Sequence, residues 1–250
     1  MHHWLRKESP HSVHAPALYR LYTEVIQKDS ITHPFIEIEA SRKRLLADEH
    51  SIPFQNLGSG HSAGSGSSKV KDIASKSLTP EKWCRLLIRL SESIQAKNIL
   101  ELGTSLGISA LYLSSNTERK VWTMEGNAAV ATIAAQLFSA NHRTNIELVS
   151  GNIDEELGPL LDRLPELDFI FLDANHRYEP TLRYAEQVLL KLRSGGLIIA
   201  DDIHRSKEMN QAWNELRFNP EIQGSINLFR WGILVKGPSE INGHHIWDYA

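Results

Sequence analysis

The apolar positions of this chain change period twice along its length. Leu18, Leu21, Tyr22, Val25 and Ile26 recur at helical spacing behind Pro16, a residue suited to a first turn, and predict an amphipathic helix running to about Lys28. Its apolar face can pack on its own domain or on a second copy of the chain, which would make a homodimer. A second helix is predicted after Pro34, carrying Ile38, Leu45 and Leu46. From Gly58 to Ser68 the periodicity gives way to glycine and serine, the composition of a flexible loop or linker. Residues 1–78 therefore read as an N-terminal helical extension, with the Gly/Ser-rich stretch at 58–68 as a hinge or, in a sharper reading, a mobile lid. Residues 79–250 read as the main domain.

From Thr79 onward the pattern is a regular α/β alternation. Thr79 is predicted to cap a helix with Pro80 at its first position and Trp83, Leu86, Leu87, Leu90 and Ile94 as its buried stripe. Short apolar runs follow at 98–102, 121–124, 146–149, 167–172 and 197–200, separated by helical stretches near 108–114, 128–140, 155–164 and 179–192. Such alternation predicts right-handed βαβ units and a parallel sheet covered on both faces. Phe169-Ile170-Phe171-Leu172 and Leu197-Ile198-Ile199 are apolar at every position, as central strands must be. After a helix around 207–218, the runs 225–229 and 231–235 stand too close for a parallel crossover and should pair antiparallel. The fold class is thus a Rossmann-like, doubly wound, mostly parallel seven-stranded sheet with an antiparallel last strand.

Composition narrows the function classes. With 250 residues and 41% hydrophobic positions the chain can bury a full core. Lys and Arg total 27 against 30 Asp plus Glu, so no excess positive field is available to attract nucleic acid, and a small-molecule partner is expected. The single cysteine, Cys84, excludes a disulfide framework and a cysteine zinc site. The polar start and the absence of a bilayer-length apolar run predict a cytoplasmic protein with no membrane partner.

Sheets of this kind bind ligands where their strands end, so the residues at each stop carry the chemistry. The first run ends Glu101-Leu102-Gly103-Thr104-Ser105-Leu106-Gly107-Ile108-Ser109. Its glycines allow close backbone approach, and the next helix offers free N–H groups. The Gly-x-Gly-x-x-Gly of a dinucleotide site is absent. An acid two positions before the first glycine suits a positively charged ligand, such as the amino and sulfonium groups of S-adenosylmethionine. Glu101, Gly103, Thr104, Ser105, Gly107 and Ser109 are accordingly candidate cofactor residues, although a Gly-x-x-x-Gly turn also serves plain helix packing. Glu125, followed by Gly126, ends the second run and can accept both hydrogen bonds of a ribose diol, or can simply favour a helix N-terminus. Asn152 and Ile153 after the third run could flank an adenine. Asp173 and His176 follow the fourth, and Asp201 and Asp202 the fifth. Three carboxylates on one rim could hold a hard dication through oxygen. Asp201 and Asp202 could both reach it only if the strand has already turned there. His176 is the candidate general base; His204 shares its kind of position, and the tail histidines His244 and His245 are expected on the surface.

With these segments in place, residues from about Thr79 to Val235 resemble class I S-adenosylmethionine-dependent methyltransferases. Within that class they are similar to the metal-dependent O-methyltransferases of the catechol and caffeoyl-CoA type and to the macrocin O-methyltransferase-like group. The resemblance implies that Gly103 and Ser109 contact the methionine part of the cofactor, Glu125 the ribose, and Asn152 with Ile153 the adenine. It also implies that Asp173, Asp201 and Asp202 match ligands of a Mg²⁺ ion. Asp202 stands where the catechol type has asparagine, and His176 where that type has a catalytic lysine, so Asp-x-x-His-x-Tyr is closer to the macrocin-like pattern. The expected reaction is methyl transfer to a hydroxyl oxygen of a small-molecule acceptor, with metal assistance. Its rivals are a metal-free N- or carboxyl-methyltransferase and a non-catalytic adenosyl-binding protein.

Overall fold

The computed structural model of the protein describes residues 15–29, 31, 35–54 and 66–249. Strands β1 (Ser51–Phe54) and β2 (Gly66–Lys69) form a small antiparallel pair in which Phe54 faces Gly66. The Gly/Ser-rich stretch expected as a loop is therefore ordered strand at its end, from Gly66. Its earlier part, with the hinge and lid readings, lies outside the described residues.

The main sheet has eight strands in the order β10-β8-β9-β7-β6-β3-β4-β5: β3 (Asn98–Leu102), β4 (Lys120–Glu125), β5 (Ile146–Ser150), β6 (Leu167–Leu172), β7 (Leu192–Ala200), β8 (Ile222–Asn227), β9 (Gly232–Lys236) and β10 (Gly243–Ile246). β9 runs antiparallel to both β7 and β8, as its short link to β8 demands, and every other pairing is parallel. Seven of these strands follow the pattern read from the sequence. The eighth, β10, was not anticipated, because its Gly-His-His-Ile lacks the apolar run of a buried strand; it is an edge strand beside β8.

The helices are α1 (Pro16–Arg20, continued as a π-helical turn over Leu21–Ile26), α2 (Ile36–Ala47), α3 (Val70–Ser77), α4 (Glu81–Ser93), α5 (Ile108–Leu113), α6 (Ala128–Ala140), α7 (Ile153–Arg163), α8 (Tyr178–Leu189) and α9 (Lys207–Leu216). Thr79 does not cap α4: Pro80 takes that position, and the Thr79 carbonyl instead accepts from Arg42 Nη1 at 2.7 Å. Alternate strand residues feed the two faces. Ile99, Phe169, Phe171 and Ile199 pack with Trp83, Leu86 and Leu87 of α4, while Leu100, Ile170, Leu172 and Ile198 pack under α7, α8 and α9. Each such aliphatic side chain contributes about 1.5–3 kcal/mol by leaving water.

The extension shares these cores. Leu18, Leu21, Tyr22 and Ile26 join the α4 face, where Tyr22 meets Trp247 edge-on at 4.9 Å, so the first helix packs on its own domain. Ile38, Leu45, Val70 and Ile73 join Leu106, Leu111 and Phe138 in a third cluster that sets α3 beside the glycine turn. Among the described residues no helix is long and apolar enough to cross a membrane.

Candidate functional site

The chain leaves β3 outward to β4 and β5, then returns to β6 on the other side of β3, so adjacent helices part at the carboxyl ends of β3 and β6. There a cleft of about 1200 Å³ opens, lined among others by Gly103, Ser105, Glu125, Gly126, Asn152, Ile153, Asp173, His176, Asp201, Asp202 and Arg230. Of the predicted cofactor residues, Glu101, Thr104, Gly107 and Ser109 are not on its wall; they build the turn from behind.

Gly103 sits at φ +104°, and a Cβ there would lie 2.1 Å from the Asp173 carbonyl oxygen, so glycine is required for the backbone crossing between β3 and β6. Gly107, at φ +88°, lets α5 close on Phe138, whose ring a Cβ would meet at 2.6 Å. Thr104 Oγ1 lies 2.6 Å from Thr123 Oγ1, which donates to Glu101 at 2.5 Å. Glu101 is fully buried. Burial pushes its carboxyl up to about 7, against the lowering by the Ser109 and Thr123 hydroxyls and with the Glu125 charge adding to the rise. The Ser109 hydroxyl acts from nearby, yet Glu101 Oε1 has no partner in hydrogen-bond geometry.

Glu125 ends β4 with both oxygens oriented by backbone: Ser105 N–H and Asn127 N–H each donate at 2.8 Å. Burial raises its pKa against those bonds. Each oxygen keeps further acceptor capacity toward the cleft, the acceptors that the two hydroxyls of a ribose diol require. Asn152 faces the same space while its Oδ1 caps α7 through Asp154 N–H at 3.1 Å. A carboxylate pinned at one strand end, a glycine turn at its neighbour and a second carboxylate at the third fit an adenosyl group bearing an amino acid tail.

On the acceptor side, Asp173 Oδ1 lies 3.3 Å from His176 Nε2. Burial, then the Asp201 carboxylate beside it, push Asp173 well above the usual carboxylate range. For His176, burial lowers the pKa, but hydrogen bonding and charge from Asp173 outweigh it and hold the value above 6.5. Both tendencies describe one shared proton, which the pair retains to higher pH than a free histidine would. Of the seven described non-glycine residues with positive φ, Ser105, Asn175, His176, Asp202 and Phe229 lie in or next to this rim, where strained backbone is expected to accompany function.

Asp201 and Asp202 both reach the cleft, because β7 has ended and Asp202 turns at φ +52°. Two of the three carboxylates, however, already carry a guanidinium. Arg230 Nε and Nη2 bond the two oxygens of the buried Asp201 at 3.0 and 3.1 Å, and Arg205 Nη1 bonds Asp202 Oδ2 at 2.9 Å. Magnesium requires near-octahedral oxygen ligands at about 2.1 Å, and a dication on Asp201 would meet the guanidinium already covering both its oxygens. This arrangement does not fit Mg²⁺, and among the described residues no three His, Cys, Asp or Glu side chains converge to hold a metal ion. His204 is also outside the cleft: its ring nitrogens lie 2.6 Å from Asn210 Nδ2 and 3.0 Å from Asn227 Nδ2. His244 is exposed as expected and bonds Ser225 across β10 and β8.

Sequence reasoning missed Arg230, Arg205, Lys76, Ser77 and Phe54 on the cleft wall. For Arg230 a signal existed. A strand antiparallel to its predecessor must turn at one edge of the sheet, and β8, parallel to β7, turns at the edge where Asp201 lies.

Residues 100–203 match a family model described as a methyltransferase domain. The chain is 29% identical over 130 residues to a catechol O-methyltransferase of Mycobacterium tuberculosis, covering 48% of this chain and 54% of the relative. It is 29% identical over 151 residues to a catechol O-methyltransferase of Niastella koreensis, covering 56% of this chain and 63% of the relative. The match thus spans between half and two thirds of these relatives. In fold it is similar to an O-methyltransferase from Bacillus cereus solved in complex with SAH, with a TM-score of 0.64 at 18% identity, covering 91% of this chain and 100% of that one. The similarity to class I S-adenosylmethionine-dependent O-methyltransferases thus holds in sequence over the core of the sheet and in fold over most of the chain.

Proposed function

We propose that the protein transfers a methyl group from S-adenosylmethionine to a hydroxyl oxygen of a small-molecule acceptor. The observation that carries this reading is the cleft at the β3/β6 switch point, where the backbone-pinned Glu125 and the Asp173–His176 pair face one space. S-Adenosylmethionine, when bound, supplies a sulfonium methyl group as the electrophile. Glu125 holds the ribose diol, Gly103 and Ser105 let the backbone approach the amino acid tail, and Asn152 with Ile153 flank the adenine.

His176 takes the hydroxyl proton as the oxygen attacks. Its Nε2 is turned toward Asp173, so Nδ1 is the nitrogen available to the acceptor, and Asp173 fixes that orientation. The cleft aligns oxygen, methyl and leaving sulfur, and alignment is where most of the rate advantage of such a displacement comes from. Metal assistance through Asp173, Asp201 and Asp202 forms no step here, given the poor fit of that donor set to Mg²⁺.

Two measurements test the reading. Calorimetric titration with S-adenosylhomocysteine should give one site per chain. A labelled-methyl screen against phenols, catechols, sugars and amines should methylate hydroxyl acceptors. Transfer to amines alone would move the assignment to nitrogen, and no binding of S-adenosylhomocysteine would reject it.

A further inference from the structure

We propose that Arg230 supplies the fixed positive charge of the acceptor side, binding the acceptor's oxygen as it becomes anionic, so that transfer proceeds without a divalent cation. This rests on the methyl-transfer reading above. The guanidinium is built in place from several sides. Two of its nitrogens grip the buried Asp201 as a planar fork, Nε stands 4.0 Å from Asp202 Oδ1, and the group lies 6.0 Å from the centre of the Trp83 ring.

Its backbone is equally constrained. The preceding residue, Phe229, sits at φ +69°, a conformation costly for a bulky side chain. It is held there by its N–H on Asn227 Oδ1 at 2.8 Å, while the Arg230 carbonyl receives Ile203 N–H at 3.1 Å. The link between β8 and β9 is thereby fastened to the loop that carries Asp201 and Asp202. Asp201 takes up two of the three guanidinium nitrogens, and the group as a whole still lines the cleft beside Asp173 and His176.

A guanidinium anchored in this way has the properties required of an oxyanion partner. It is always charged, it is preorganised, and its remaining N–H groups can donate to an oxygen. The balance of the step is simple: oxygen bonds to the methyl carbon, the carbon–sulfur bond breaks, the hydroxyl proton goes to His176, and Arg230 compensates charge without being consumed. Asp201, on this account, is the anchor of the arginine rather than a metal ligand.

The test has two independent arms. In the first, protein loaded with S-adenosylhomocysteine is titrated with Mn²⁺ and followed by electron paramagnetic resonance, with Asp201→Asn alongside. Equal signals from the two proteins support the proposal, and a bound ion that disappears in Asp201→Asn overturns it. In the second, labelled-methyl transfer is measured in excess EDTA for the parent, Arg230→Ala and Arg230→Lys. The parent should keep its rate. Both variants should lose about 10²-fold to 10³-fold in transfer while binding S-adenosylhomocysteine within twofold of the parent, lysine lacking the two-pronged geometry. If Arg230→Ala does not fold, Arg230→Lys decides. Full transfer in a folded variant, or loss of parent transfer in EDTA, overturns the proposal. If no acceptor is methylated and S-adenosylhomocysteine does not bind, the methyl-transfer reading fails, and the Mn²⁺ arm still judges the cation claim alone.

Discussion

Replacing Glu101 by glutamine should shift the balance of stability toward the variant as pH rises. Glu101 is fully buried under the glycine turn, with its carboxyl pushed from 4.5 up to about 7, chiefly by burial. Over that interval the folded state keeps a proton that the unfolded chain has released. The stability is therefore fully present below about pH 4.5 and is lost as pH rises through about 7. The shift corresponds to about 3 kcal/mol in total, of which about 2.5 kcal/mol accrues between pH 5 and pH 8. Glutamine keeps the shape and the acceptor for Thr123 but cannot ionise. Its amide would occupy the place of an oxygen that already lacks a partner, an offset of about 1–3 kcal/mol that is independent of pH. Urea unfolding of the parent and Glu101→Gln at pH 5, 6, 7 and 8 isolates the term, because every other titrating group is common to both proteins. The difference in unfolding free energy should move by about 2.5 kcal/mol in favour of the variant between the ends of this range. A difference that stays flat with pH would refute the reasoning: Glu101 would then ionise as readily folded as unfolded.

Gly103→Val should abolish S-adenosylhomocysteine binding by calorimetry, because its Cβ would lie 2.1 Å from the Asp173 carbonyl at a φ of +104°; unchanged affinity would remove the turn from the site. Glu125→Gln should weaken S-adenosylhomocysteine about 10-fold to 100-fold, the usual loss for hydrogen bonds to a charged acceptor, and an equal affinity would place the ribose elsewhere. Transfer by the parent should fall as pH drops through the raised value of the Asp173–His176 pair, since only the deprotonated pair can accept the hydroxyl proton. His176→Ala should remove that limb and lower the rate by about 10²-fold to 10⁴-fold near neutral pH; a pH–rate profile superimposable on the parent's would make His176 a structural neighbour.

The sequence by itself determined the sheet and its rim. Strands buried on both faces must be apolar at every position, so Phe169 to Leu172 and Leu197 to Ile199 announced the central strands. Ligand-facing residues must then follow where such runs stop, which located Gly103, Glu125, Asp173 and Asp202. β10 escaped, since an edge strand needs no apolar run and its Gly-His-His-Ile reads as surface. The first helix carried an apolar face without saying what would cover it, and only folding set it against Trp83 and Trp247.

Tertiary structure decided the chemistry of the rim. Glu101 and Ser109 belong to the glycine pattern, yet burial turned them inward, a matter of which side of the turn the chain presents. Three acids in sequence read as a metal site because carboxylates invite a cation, and periodicity cannot say which cation arrives. Nor can it place near Asp201 an arginine 29 residues further on, delivered by an antiparallel link whose landing place only the completed sheet defines. Side-chain type and spacing are local properties of a chain. The pairing of one charge with another is set by where distant strands end, and it is the completed sheet that brings the Arg230 guanidinium onto Asp201.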